Sequence, residues 1–428
     1  MTTAENRTTI AKTSRRLADR AMYFSYAARA KAIRRFANVR LRGGRKKVVI
    51  LDPGLIDYYG HHAEFAALLK STLQSQYDVR IYANFRARVG LLMRMSAEPV
   101  FYDDLYPPGN GQHFDVVYGD MTRTLTAALT KVSTQDLSPS THVIMHTATI
   151  FQLGSLADWY SALPEPRPKL IILFHRPLEY GVQPASQELG AIALAREAVA
   201  KLAAAGRIGL ASFSRQLSDR ISLQLGQFCS VVPLPVQWPD PRRIVLRPLS
   251  PTFGFFGGFR IEKGAALLAD VIPIFAESHR DVRFIIHAPQ RDVDASALER
   301  LSGVPGVEIL RTTFSIKEEY FRQLMRAGCV LLPYHPPSYT MRASGVLPEA
   351  LGLGRMVITT RGTWLEDQVR SWKGNAFLMD QFTPDSLLEC LDRARNSLLA
   401  NTIVPKVDQR LIATFSSAGF CDAVMSMA

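Results

Sequence analysis

Cysteine is scarce: four residues in 428, Cys229, Cys329, Cys390 and Cys421, with no CxxC pair among them. That spacing argues against a disulfide scaffold and against a cysteine zinc site, and a reducing cytoplasm is the simplest setting. Long apolar runs are missing too, since none approaches the ~20 residues that cross a bilayer. The first thirty residues carry arginines throughout instead of an apolar stretch with a cleavage site, so secretion by a signal peptide is not expected. Acidic residues are rare at one end. Positions 1–47 hold 14 Lys and Arg against 2 Asp and Glu, leaving 37 against 36 in the other 381 residues. The net charge of +13 is therefore a property of the N-terminus, and the nearly neutral body argues against a nucleic-acid binder.

What is present begins with that basic segment. Between Ser14 and Leu41 there is no Pro or Gly, and Leu17, Ala21, Phe24 and Ala28 recur at helical spacing among Arg15, Arg16, Arg20 and Arg29. Ile33, Phe36, Val39 and Leu41 continue the pattern. The reading is a basic amphipathic helix, suited either to an anionic membrane surface through residues 14–41 or to a solvated or packed extension.

The body reads as α/β. Lys47–Asp52 is a short buried strand, and 60–74 a helix opened by a glycine turn. Further strands are expected at 79–82, 116–118, 142–145 and 170–174, with a helix over 187–205. Apolar strands without polar alternation, separated by helices, argue a parallel sheet covered on both faces. Six prolines between Val232 and Pro251 mark a connection. A second alternation follows, with strands at 252–256, 282–287, 330–333 and 356–359 and helices at 264–277, 317–326 and 346–352. The expected organisation is an extension over 1–45, a Rossmann-like domain over 46–235, a linker over 236–251, a second Rossmann-like domain over 252–405, and a C-terminal helix over 406–428 packing back on the first domain. Two such domains would face each other across a cleft at the carboxyl ends of their strands.

Three segments of the second half carry chemistry. In Gly257-Gly258-Phe259-Arg260-Ile261-Glu262-Lys263-Gly264, a strand ends in glycines and two cations precede a helix. Such surroundings suit a diphosphate: glycines permit close backbone approach, helix amides face an anion, and Arg with Lys neutralises charge. A solvated charge pair would look the same in isolation. In Ser344-Gly345-Val346-Leu347-Pro348-Glu349, a carboxylate at a helix start can accept ribose hydroxyls or serve as a first-turn acid. The third segment is Thr360-Arg361-Gly362-Thr363-Trp364-Leu365-Glu366-Asp367.

In this order and spacing the segments resemble family 4 glycosyltransferases of the GT-B fold (glycosyl transferases group 1), most closely over residues 252–370 and more weakly over 46–230. The resemblance implies that Arg260 and Lys263 hold the donor diphosphate beside Gly258, that Ser344 and Gly345 offer turn amides there, and that Glu349 binds the ribose. The family's first motif glutamate would fall at Met341, which leaves the donor sugar open. In the first half, Gly60 occupies the place of the family's glycine loop. His61 and His62 are substrate contacts or solvated loop residues. His146 and His175 stand at strand ends, where each is either a hydrogen-bond partner of the donor sugar or a satisfied structural histidine. The activity implied is retaining hexosyl transfer from a nucleotide-diphosphate sugar without a metal, catalysed by Arg260, Lys263 and the strand-end histidines. The acceptor would be a glycan or a lipid-linked one in bacterial envelope or exopolysaccharide synthesis, with the enzyme on the inner membrane face. The donor is a substrate, so no cofactor is expected, and Asp103-Asp104 reads as a loop without a ligand set. The alternatives are a non-catalytic sugar-nucleotide-binding partner and a sugar-nucleotide epimerase of the same fold.

Overall fold

The computed structural model describes residues 45–58, 61–106, 113–240, 244, 246, 248–289, 293–312, 314, 317–401 and 403–427. The basic segment 14–41 and Gly60 lie outside the described residues. Two compact units are present, one of residues up to 211 with 221–229, the other of 212–220 with 230–427.

The chain up to Val231 runs β1 (Lys47–Asp52), α1 (His61–Leu73), β2 (Asp78–Asn84), α2 (Val89–Met95), β3 (Ala97–Phe101), α3 (Phe114–Leu129), β4 (His142–Ala148), α4 (Ile150–Ser161), β5 (Lys169–Phe174), α5 (Glu188–Ala205), β6 (Ile208–Ser212), α6 (Arg215–Leu225) and β7 (Cys229–Val231). Its seven-stranded sheet has the order β3-β2-β1-β4-β5-β6-β7. Val48 to Leu51 are all fully buried, as are Leu170 to Phe174, which is why these strands read as unbroken apolar runs. The chain leaves β1 first toward one edge and then, at β4, toward the other, so the switch point lies between β1 and β4, where Leu51 pairs with Met145.

One expected strand is corrected. Residues 116–118 lie within the helix α3, not in a strand. The apolar residues that decide it are Phe114, Val117, Met121, Leu125 and Ala128, spaced at the helical period and buried, while Val116 beside them is 56% exposed. The strand that pairs with β2 is β3 instead.

The second unit runs β8 (Thr252–Phe255), α7 (Ala265–Ser278), β9 (Arg283–His287), α8 (Ala295–Leu301), β10 (Val307–Leu310), α9 (Lys317–Leu324), β11 (Cys329–Leu332), α10 (Pro336–Tyr339), α11 (Val346–Gly352), β12 (Met356–Thr360), α12 (Trp364–Trp372), β13 (Ala376–Met379), α13 (Pro384–Leu399), α14 (Gln409–Thr414) and α15 (Ser417–Ser426). Its six-stranded parallel sheet has the order β10-β9-β8-β11-β12-β13, so its switch point lies between β8 and β11. Phe253, Phe255, Phe284, Val330, Leu331 and Ile358 form the buried layer with Leu268, Ile272 and Phe275 of α7. The C-terminal stretch forms two helices where one was expected, each capped by its own side chain, Asp408 to Leu411 N and Ser416 to Gly419 N. Both belong to the second unit. Among the described residues, no helix is long and apolar enough to cross a membrane.

Candidate active site

The second unit gathers its cations at its switch point. After β8 the chain turns through Gly257, whose φ of 103° favours glycine and whose N–H points to His287 Nδ1 at 3.4 Å. A 3-10 turn, Ile261–Lys263, then leads to Gly264, at φ 86°, which opens α7. This geometry places Lys263 Nζ 3.0 Å from where a Cβ on Gly257 would sit and 5.2 Å from the centre of the Tyr334 ring. Arg260 pairs with Glu262 at 3.0 Å, and Arg342 approaches the same carboxylate at 4.0 Å while lying over the Tyr339 ring. Burial lowers the Lys263 ammonium from its usual pKa, and Arg260 and Arg342 push the same way against Tyr339. Arg260, Lys263 and Arg342 lie close together here around Glu262, so an anion placed among them would meet several cations.

Glu349 lies on α11, buried, below that cluster. Its Oε2 accepts a 2.6 Å hydrogen bond from Tyr320 and its Oε1 pairs with Lys317 at 3.0 Å, both from α9. A carboxylate has about four acceptor positions, so each oxygen keeps one for a further donor. Ser344, also buried, faces the Tyr334 hydroxyl at 3.4 Å. Burial pushes the Tyr334 hydroxyl up to about 12, so it remains a proton donor. At Gly345 an added Cβ would meet nothing within 4 Å, which leaves open space over the turn. Met341 offers its carbonyl to Ser214 Oγ at 2.8 Å.

In the first unit the switch point holds imidazoles. Asp52 ends β1 fully buried, accepting His62 Nδ1 at 2.6 Å, His146 Nδ1 at 3.0 Å and the Gly54 N–H at 3.1 Å. His146 stands on β4 where the pairing register with β5 shifts, between Met145 and Ala148, and its ring stacks on Phe65 at 3.8 Å. His61 and His175 close the group, with ring centres 4.1 Å from His62 and 5.2 Å from His146 respectively. Burial alone would raise Asp52, but His62 and His146 hold it far below the usual carboxylate range. Burial would lower His62, yet the Asp52 carboxylate lifts it above its usual value. His146 goes the other way, lowered chiefly by burial. Asp52 thus holds two imidazoles whose proton affinities are pushed in opposite directions.

Residues 250–396 match the sequence profile of the family described as glycosyl transferases group 1. That stretch runs from the start of the second sheet into α13. No curated protein matches the chain in sequence. Its fold is shared with several solved structures at low identity. The N-terminal domain of Candida albicans trehalose-6-phosphate phosphatase is 11% identical, with a TM-score of 0.62 over 91% of this chain and 98% of that one. Anabaena HepE, solved with UDP and glucose, is 13% identical, with a TM-score of 0.56 over 89% and 98%. An α,α-trehalose-phosphate synthase (UDP-forming) from Burkholderia vietnamiensis is 9% identical, with a TM-score of 0.56 over 89% and 99%.

Within the matched stretch, the structure brings Gly258, Arg260, Lys263 and Ser344 to one place, with Gly345 on the adjoining turn and Glu349 one helical turn further. The family motifs do not point to Glu262, Tyr334, Tyr339, Lys317 or His287, which hold these residues in position. The tyrosines in Tyr334–Tyr339 were the only available signal. In the first unit, the solvated-loop reading of His62 is corrected: it lies on α1, buried, because Gly54 leaves room for its ring, a Cβ there coming within 2.3 Å of it. Asp52, the centre of that cluster, was legible only as a strand end.

Proposed function

We propose that the chain is a retaining glycosyltransferase that moves a hexose from a nucleotide-diphosphate sugar to an acceptor without a catalytic metal. The observation that carries the reading is the convergence of Arg260, Lys263 and Arg342 on the space beside Gly257 and Gly264, in a domain of the matching family. Charge develops on the leaving diphosphate as the glycosidic bond breaks, and fixed cations in a partly enclosed site stabilise that charge without reorganising. Glu349, held by Lys317 and Tyr320, keeps acceptor positions for the ribose hydroxyls. The leaving phosphate itself accepts the proton of the attacking hydroxyl on the same face, which gives retention, and His146 and His175 contact the donor sugar. HepE was solved with UDP and glucose, which makes a UDP-sugar the first donor to try.

A lipid-linked acceptor at the inner membrane face, in envelope or exopolysaccharide synthesis, follows from the basic apolar pattern of residues 14–41. Deleting residues 1–45 should abolish sedimentation with anionic liposomes, and unchanged sedimentation would sink this part. The central test is release of nucleoside diphosphate from UDP-, GDP- and ADP-sugars, with and without bacterial lipid extract, for wild type and Glu349→Ala. Lipid-dependent release from one donor, lost in the variant, supports the reading, and nuclear magnetic resonance of the product's anomeric proton tests retention. Binding of a nucleotide sugar without turnover would favour the non-catalytic alternative that Met341 raises. Neither turnover nor thermal stabilisation by any nucleotide would overturn both.

A further inference from the structure

We propose that the first unit holds a divalent transition-metal ion of the zinc class on Asp52, His62 and His146. This goes beyond the donor-site reading and shares only His146 with it; metal content and the cobalt spectrum are read without donor, so either reading can fail alone.

The three side chains each present a ligand atom within 4.8 Å of the other two, and all three residues are buried. One carboxylate oxygen and two imidazole nitrogens form a donor set that zinc takes, and three protein ligands leave a fourth position for water or a substrate oxygen. Around an ion with bonds of about 2.0–2.1 Å in tetrahedral geometry, neighbouring ligand atoms stand roughly 3.3 Å apart. His62 Nδ1 meets Asp52 Oδ1 at 2.6 Å and His146 Nδ1 meets Oδ2 at 3.0 Å, so an ion entering between the imidazoles and the carboxylate parts these two contacts to about 3.3 Å.

The surroundings argue against a purely structural ion pair. A fully buried carboxylate carries no Lys or Arg among its described ion pairs, only the two imidazoles. His62 Nε2 and His146 Nε2 are both buried and have no hydrogen-bond partner among the described residues. These are the ring nitrogens opposite the Nδ1 atoms that meet Asp52, and buried polar atoms left unsatisfied are costly, so the unit's own hydrogen bonding does not account for both rings. The backbone is shaped for the same end. Gly54 has no Cβ, which is what allows the His62 ring to lie against Asp52. The pairing of β4 with β5 is irregular at His146, whose Nδ1 meets the same carboxylate. His175 braces the strand by approaching the His146 carbonyl at 3.3 Å, and the exposed His61 ring, 4.1 Å from that of His62, borders the outer side.

Ligation requires deprotonated imidazole, so uptake of the ion releases protons to solvent.

The test uses the untagged full chain, stripped with a chelator and titrated with Zn2+ and, separately, with Co2+. The expected result is one ion per chain by elemental analysis, a rise in melting temperature with Zn2+, and a cobalt(II) visible absorption of the intensity given by a four-coordinate nitrogen–oxygen site. Asp52→Asn, His62→Gln and His146→Gln should each weaken binding at least about 100-fold, judged against the 10- to 100-fold cost of losing an outer-shell partner, while His142→Gln leaves it intact. If a variant fails to fold, the wild-type cobalt spectrum still decides, because a hexa-aqua-like weak band or sub-stoichiometric uptake overturns the proposal. Binding that survives both His62→Gln and His146→Gln overturns it as well.

Discussion

Replacing Gly264 by Ala tests the construction of the cationic site more sharply than removing a charge. Gly264 has φ 86°, and a Cβ built on it would lie 2.3 Å from the Pro333 carbonyl oxygen and 2.9 Å from Pro333 Cγ. The left-handed conformation costs an L-residue about 1–2 kcal/mol, part of which returns because Ala restricts the unfolded chain by about 0.4–1 kcal/mol. The net backbone cost is about 1 kcal/mol. The obstructing atom is backbone, so no side-chain rotation relieves the clash, and overpacking of this kind adds about 1–3 kcal/mol. The expected loss is about 3 kcal/mol in all, which for a unit of some 200 residues corresponds to a melting temperature lower by roughly 6–12 °C. Gly303 supplies the control. Its φ is 81°, but an added Cβ there meets nothing within 4 Å, so Gly303→Ala should lose only about 1 kcal/mol and roughly 2–4 °C. Scanning calorimetry measures both. Because relief of the clash shifts Lys263 and the first turn of α7, calorimetric titration should also show weaker UDP binding in Gly264→Ala and unchanged binding in Gly303→Ala. Equal thermal losses in the two variants would refute the steric part of the reasoning, and undiminished UDP affinity in Gly264→Ala would refute the link between this turn and the donor.

Three further outcomes are expected. Arg260→Ala and Lys263→Ala each remove a charge-assisted contact of about 1.5–3 kcal/mol, so donor kcat/KM should fall roughly 10- to 150-fold in each; a change under threefold in both would remove these side chains from the site. Glu349→Gln keeps the shape of the side chain but removes the charge that pairs with Lys317, whose side chain is 22% exposed. Denaturant unfolding should show a loss of about 1–2 kcal/mol, together with weaker nucleotide binding, and an unaltered midpoint would mean that the pair contributes nothing. His142 is held near a pKa of about 4, below its ordinary 6.5, by burial and then by Lys169 and Arg207. The unfolded chain therefore binds the extra proton first. Stability attributable to this group is complete above pH 6.5 and declines as pH falls from 6.5 toward 4, whereas Asp52 acts only in more acid solution, below its ordinary 3.8. Chemical denaturation of His142→Gln across that window should show a flatter profile than wild type, and parallel profiles would disprove the assignment.

How far the fold was legible follows from what each segment buries. Lys47–Asp52 and Met356–Thr360 are covered on both faces, so continuous apolar runs announced them as parallel strands. Residues 116–118 misled because three residues cannot reveal a period, and only Phe114, Val117, Met121 and Leu125 taken together show the helix. Ala97–Phe101 and Val307–Leu310 are edge strands at β3 and β10, where a Pro, two Glu and half-buried positions dilute the apolar signal. The cationic site was readable because Arg260, Lys263 and Gly264 are local in sequence and belong to a motif. Its supports were not, since Lys317 and Tyr320 meet Glu349 only through the packing of α9 against α11. The imidazole cluster was the least legible. Asp52, His62 and His146 are separated by 10 and 84 positions, and only the adjacency of β1 and β4 brings them together.

The two sheets place their chemistry at the same topological point and give it opposite electrical character. At the end of β8, glycines and a helix start are gathered with Arg260, Lys263 and Arg342 around Glu262, an arrangement suited to an anion. At the end of β1, the described ion pairs of a buried carboxylate are both with imidazoles, and burial lowers the proton affinity of His146. A diphosphate brought there would face Asp52 without a guanidinium or ammonium among its ion pairs, and an unscreened like-charge approach in a buried site is strongly unfavourable. The same topology therefore cannot serve the donor phosphates twice. The first unit's switch point is chemically suited to a cation or to the neutral hydroxyls of a sugar, and metal titration of the His62 and His146 variants separates those two, because hydroxyl recognition survives a chelator and metal ligation does not.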